Sequence, residues 1–142
     1  MSPRNPAPEE GLTIVYGSAL GSYSFSEEHP LQPMRHELTM SLLRGLGWLD
    51  DPRVEILEPR PAKVSELMTV HSYPYIQAVA TAQAIARGTQ PPCDLALYGL
   101  GSNDNPIFPD MGDAATLQAG ASIHAMHAVL DGRSPHAYSP AG

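Results

Sequence analysis

Apolar residues in this chain occur in short runs, and the spacing within each run predicts a secondary structure. LTIVYG at 12–17 is a continuous apolar run closed by glycine, which predicts a buried strand. VEILEP at 54–59 has the composition of a second strand that its prolines end. HAYSPAG at 136–142 predicts the beginning of a third. We therefore expect three short strands, well separated in the sequence.

Helical spacing fills the intervals between these strands. Ser65 and Ser72 each precede an apolar periodic segment and are expected N-caps. Gly120 and Ala121 lie inside an alanine-rich segment and are small enough to allow close approach of a neighbour. The predicted helices cover residues 33 to 45 or 47, 65–68, 72–88 and 113–130.

Two long irregular stretches, 16–33 and 89–112, are rich in Gly, Ser and Pro and are candidate functional loops. The order of strands and helices predicts an α/β fold with a parallel sheet, in which ligands bind beyond the carboxyl ends of the strands. Three strands cannot bury both faces of such a sheet together with the apolar surface of these helices. We therefore expect an incomplete sheet that belongs to a larger domain.

The helix that begins near Pro33 carries an arginine in its apolar stripe. At about 100° per residue, Arg35 falls on the same third of the helix as Met34, Leu38, Leu42 and Leu46. Two interpretations are open. The guanidinium is buried and needs acceptors, because unpaired burial of a charge is costly, or it extends to solvent near the helix start.

Composition narrows the function classes. A net charge of −7, from 8 basic and 15 acidic residues, provides no basic surface for nucleic acid or an anionic membrane. Cys93 is the only cysteine, so an internal disulfide and a cysteine-based zinc cluster are excluded, and a cytoplasmic location is favoured. No apolar run has the length of a membrane span or a signal peptide. We expect residues 1–10 to form a disordered tail and 11–142 to be the folded part.

Several short motifs, taken in order, resemble the histone deacetylase superfamily, most closely its bacterial acetoin utilization branch. They are HPLQPMR at 29–35, AKVSEL at 62–67, VHS at 70–72, YI at 75–76, YGLG at 98–101, DNPIFP at 104–109 and AYSPAG at 137–142. The resemblance implies the N-terminal part of an arginase/deacetylase-type three-layer fold. It also implies a zinc-dependent hydrolase that acts on acetyl-lysine or a similar acyl amine.

The same resemblance indicates what this sequence lacks. The family's histidine pair, its zinc ligands and its catalytic tyrosine belong to segments that follow those matched here. We therefore assign no catalytic residue and no metal ligand within the 142 residues, and we expect the chain to be inactive alone. Zn²⁺ is implied by the family only.

Four residues take roles from the resemblance. Arg35 matches an arginine that lines an internal channel, where backbone carbonyls and the departing carboxylate would pair with it. Leu31, and more loosely Tyr23, would line the same channel. Asp104 matches a rim aspartate that accepts hydrogen bonds from main-chain N–H groups of the acyl-lysine substrate. Without the family, Asp104 is better explained as an Asx-turn residue.

Other polar residues give weaker signals. His124, His127 and Asp131 have a helical spacing that could hold a metal, although solvated histidines on an alanine-rich helix are the better interpretation. The alternative function, from a different class, is a non-catalytic interaction module, or a nonfunctional remnant, with an exposed apolar surface.

Overall fold

Three strands and four helices follow one another in the order that the hydrophobic pattern predicts. The structure is a computed structural model that describes residues 10–25 and 29–141. Its strands and helices are β1 (Leu12–Val15), α1 (Met34–Gly45), β2 (Val54–Leu57), α2 (Val64–Leu67), α3 (Tyr73–Ala86), α4 (Met111–Leu130) and β3 (His136–Tyr138).

The predicted tail lies mostly outside the described residues. Residues 1–9 are not described, whereas Glu10 is, and its carboxylate forms an exposed ion pair with Arg53 at 2.9 Å. The division of the chain into a tail and a folded part stays a prediction.

The strands form one parallel sheet in the order β2-β1-β3. Central β1 is buried, with Ile14 and Val15 almost fully excluded from solvent, as its continuous apolar run predicts. The flanking strands are partly exposed. The α/β class and the parallel sheet are therefore confirmed.

Helix α4 covers one face of this sheet. Val15 packs there with Leu20, Ala121 and Ala125. Beyond that contact, a Cβ on Gly120 would clash with the carbonyl of Arg60 and lie 2.5 Å from the nitrogen of Ala62. The close approach predicted for Gly120 and Ala121 is thus confirmed.

A second core holds the two long loops against α3 and α4. Tyr23 of the first loop stacks on Phe108 of the second, with 6.0 Å between ring centroids, and Phe25 meets Phe108 edge to face at 5.0 Å. Leu100 and Met111 are buried in the same cluster. The two predicted functional loops are therefore packed together through aromatic side chains.

Helix α1 packs against the rest of the protein through the face opposite its predicted apolar stripe. Met34, Leu38, Leu42 and Leu46 are 55–63% exposed. His36 and Met40, one turn apart on the other side, are each 1% exposed. The helix carries apolar residues on two faces, and packing selects the face that contains a histidine. Of the two interpretations of Arg35, the described structure agrees with a guanidinium exposed near the helix start.

Two helix starts also differ from prediction. Ser65 lies inside α2, whose N-cap is Lys63, because the Glu66 carboxylate accepts the Lys63 N–H at 2.7 Å and takes the capping role. Helix α4 begins two residues before Asp113, at Met111. Ser72 does cap α3, accepting the Tyr75 N–H at 3.4 Å.

Candidate substrate-binding site

Asp104 lies at the tip of the loop between α3 and α4, and its exposed carboxylate has no hydrogen-bond partner among the described residues. Neighbouring residues make the bonds that order the loop. The Asn105 side chain donates to the Gly99 carbonyl at 3.0 Å, and the Asn105 N–H donates to Ser102 Oγ at 3.1 Å. The turn bonds are thus made by Ser102 and Asn105, which removes the main support for Asp104 as an Asx-turn residue.

The loop that carries Asp104 is clamped where it leaves α3 and enters α4. Gln83 Oε1 accepts the first N–H groups of α4, from Gly112 at 2.8 Å and Asp113 at 3.0 Å, and so caps this helix from a neighbouring one. Arg87 pairs with Asp110 and Asp113, and these hydrogen bonds raise the pKa of its guanidinium. Both ends of the loop are therefore held together by these contacts between the end of α3 and the start of α4.

His29 lines the same cleft as Asp104, whereas from sequence it had no role beyond membership of the HPLQPMR motif. The cleft is also lined by Pro30, Asn103 and Ile107. The ring of His29 stacks on Phe25 with 4.5 Å between centroids. Only the packing of the first loop on the second brings His29 to this position.

The three predicted channel residues lie in different environments. Tyr23 is buried and lines a cleft with Pro61 and Thr116, to which the other two do not contribute. Leu31 is half-buried. Arg35 is exposed, and no described residue accepts a hydrogen bond from its guanidinium. The described residues thus do not gather these three side chains around one cavity, and their channel role stays a prediction.

His36, the residue after Arg35 in α1, is buried. Both ring nitrogens of His36 lack a hydrogen-bond partner, as does the buried hydroxyl of Ser139 just after β3. Burial lowers the pKa of His36, the positive charge of Arg35 lowers it further, and the nearby backbone of Pro140 opposes them. Sequence did not predict this burial, because a lone histidine in a helix carries no signal of which face packs.

The histidines of α4 do not assemble a metal site. His127 Nδ1 lies 3.8 Å from Asp131 Oδ2, and both line a shallow cleft with His124 and Arg133. Across residues 10–25 and 29–141, no three His, Cys, Asp or Glu side chains are close enough to hold a metal ion. His124, His127 and Asp131 therefore do not fit a zinc ion.

Within residues 10–25 and 29–141, no helix is long and apolar enough to cross a membrane.

Comparison with known proteins identifies the family. The model of the histone deacetylase domain matches residues 29–141. The chain belongs to the histone deacetylase family. The matched range includes His29, Arg35 and Asp104, and Tyr23 precedes it. Membership implies the arginase/deacetylase-type fold, of which the described parallel sheet is a part.

Relatives of the chain include three bacterial proteins named acetoin utilization protein AcuC. The one from Bacillus subtilis is 38% identical over 129 residues, which cover 91% of this chain and 32% of the relative. The one from Staphylococcus xylosus is 33% identical over 83% of this chain and 29% of its own length. The one from Staphylococcus aureus strain MSSA476 is 29% identical over 84% of this chain and 29% of its own length. The chain thus spans about a third of each of these relatives.

Proposed function

We propose that this chain forms the substrate-binding rim of a zinc-dependent deacetylase that hydrolyses acetyl-lysine or a similar acyl amine. The observation that carries the proposal is the Asp104 carboxylate, which is exposed at a cleft and unpaired among the described residues, while Ser102 and Asn105 make the bonds that order its loop. Family membership and the likeness to AcuC proteins support the reaction class. We infer a cytoplasmic location from the single cysteine, Cys93.

Asp104 would bind and orient the substrate. An ionised carboxylate accepts two N–H donors at once, and hydrogen bonds to a charged acceptor are about twice as strong as neutral ones. An acyl-lysine anchored by its main chain would extend its side chain away from the rim in a fixed direction. Orientation of this kind lowers the barrier of a reaction without any chemical step by the anchoring residue.

We infer that the chain does not hydrolyse the amide alone. The described residues provide no group of three side chains that could hold a metal ion, and the family resemblance places the zinc ligands and the histidine pair in other segments. Arg35, with Leu31 and Tyr23, is proposed to line the internal channel through which the carboxylate product leaves. The unpaired guanidinium supports this role, because it can still bind an anion.

Peptide binding by the 142-residue chain tests the assignment of Asp104. In an NMR titration with an acetyl-lysine peptide, Asp104→Asn should weaken binding roughly 10- to 100-fold, the effect of losing hydrogen bonds to a charged group. Asp50→Asn, which removes the same charge from an exposed turn after α1, is the matched control and should bind like wild type. Equal binding by both variants would remove the assignment.

Acetate release tests the inference about activity. The wild-type chain supplied with Zn²⁺ and the same peptide should release acetate no faster than peptide and Zn²⁺ without protein. Turnover at an enzymatic rate would contradict the inference, because it would require catalytic groups within these residues.

A second candidate, the non-catalytic interaction module, is favoured by the exposed apolar stripe of α1. Four apolar side chains that recur at every fourth position, Met34, Leu38, Leu42 and Leu46, are each more than half exposed, and isolated soluble proteins seldom expose large apolar patches. If the wild-type chain binds no acyl-lysine peptide and Asp104→Asn changes nothing, this second candidate is preferred.

A further inference from the structure

The cleft of Asp104 has a second polar wall, formed by His29. The Leu31 N–H donates to His29 Nδ1 at 3.1 Å, so this nitrogen is an acceptor in the neutral ring. The other nitrogen, Nε2, therefore carries the hydrogen. No described residue accepts a hydrogen bond from it. His29 and Asp104 thus line one cleft from the two loops that form it, and each has a polar group without a partner among the described residues.

The orientation of His29 is fixed by contacts outside the cleft. Its ring stacks on Phe25 with an interplanar angle of 27°, and Phe25 packs against Phe108 of the second loop. The carbonyl of His29 accepts the Gln32 side-chain N–H at 2.6 Å. The side chain is thus held by the Phe25 ring and by the Leu31 N–H, and its backbone by Gln32, so it loses little conformational freedom when it binds a ligand.

We propose that His29 Nε2 donates a hydrogen bond to a main-chain carbonyl of the acyl-lysine peptide. Asp104 would accept from main-chain N–H groups of the same segment. Each peptide unit presents one donor and one acceptor, which match the two walls. A small acyl amine without a main chain forms neither hydrogen bond, so it loses the net contribution of both.

This inference rests on the proposed function and makes it narrower. Asp104 alone would bind any ligand with N–H donors at the rim. The pair formed by His29 and Asp104 selects a ligand that carries donor and acceptor together. His29 is thus a specificity-determining residue.

Two probes and two substitutions test the inference on the full 142-residue chain. The probes are an acetyl-lysine peptide with blocked termini and N-acetylbutylamine, which has the same side chain without a main chain. His29→Asn keeps an acceptor for the Leu31 N–H but lacks the distant donor. His29→Gln places an amide N–H near the position of Nε2 and is the conservative variant.

In NMR titrations, wild type should prefer the peptide to N-acetylbutylamine. His29→Asn should weaken peptide binding roughly three- to tenfold, the effect of one hydrogen bond, and His29→Gln should stay within about twofold of wild type on the same scale. Neither substitution should change the affinity for N-acetylbutylamine.

Three results would overturn the inference. They are wild-type peptide affinity in His29→Asn, equal losses for both probes in that variant, and no preference of wild type for the peptide. A different result, unchanged peptide binding by Asp104→Asn, would contradict the proposed function.

Discussion

Replacing His36 by leucine removes two buried ring nitrogens that have no hydrogen-bond partner among the described residues. The side chain is 1% exposed and lies between α1 and the end of β3. Leucine has a similar size, forms helices more readily and has no polar atom to leave unpaired. We therefore expect His36→Leu to stabilise the chain.

The magnitude follows from the cost of unpaired polar groups. A buried donor or acceptor without a partner costs about 1–3 kcal/mol, so the free energy of unfolding should rise by about that amount. For a chain of this length, 1 kcal/mol corresponds to roughly 4 °C in Tm. Thermal unfolding followed by circular dichroism at pH 8 measures the shift.

The pH dependence provides a second test. Burial holds the pKa of His36 below the 6.5 of the free side chain, so the unfolded chain binds a proton that the folded chain resists. The contribution of neutral His36 to wild-type stability should therefore be fully present above about pH 6.5 and decline as the pH falls toward the pKa of the folded state. The leucine variant lacks this decline, and its advantage over wild type should grow between pH 7 and pH 5.

His127→Leu is the matched control, because that histidine is 49% exposed. It removes no buried polar atom and should leave Tm at pH 8 close to that of wild type. A lower Tm in His36→Leu, or a difference from wild type that does not vary with pH, would refute the argument.

Two further substitutions test packing and acid stability. Gly120→Ala should destabilise the chain by at least about 1–3 kcal/mol, because its Cβ would clash with the segment at Ala62. Gly45→Ala is the control in urea unfolding, since a Cβ at that position meets no atom within 4 Å. Equal urea midpoints for the two variants would contradict the expectation. The two hydrogen bonds from Arg60 lower the pKa of Glu66 to about 2, so its stabilisation is complete above pH 4.5 and lost as the pH falls toward 2. Glu66→Gln should therefore lower the urea midpoint at pH 7 and converge on wild type in acid, and a difference that persists unchanged at pH 3 would count against this ion pair.

The sequence predicts the order and type of the elements because each has a strong local signal. The apolar run of β1, the cap at Ser72 and the small residues at 120–121 each require one structure, and each is confirmed. The face of α1 could not be predicted in the same way. Both sides of that helix carry apolar residues, and only packing against segments distant in the sequence selects the side of His36 and Met40.

The candidate site was predictable in part. Asp104 was found through its motif, and the structure adds that Ser102 and Asn105 make the turn bonds around it. His29 was missed as a cleft residue because its position depends on aromatic packing between two loops that are distant in sequence. Contacts of this kind leave no periodic pattern.

The capping of α4 by Gln83 has a consequence for ligand binding. Since Gln83 and Arg87 tie the last turns of α3 to the first residues of α4, the 24-residue span between the helices, 87–110, is a closed ring before any ligand arrives. Its entropy of closure is already lost in the folded chain. An acyl-lysine peptide would therefore meet a rim that has little left to order, and loosening Gln83 would weaken binding from a distance without touching the peptide.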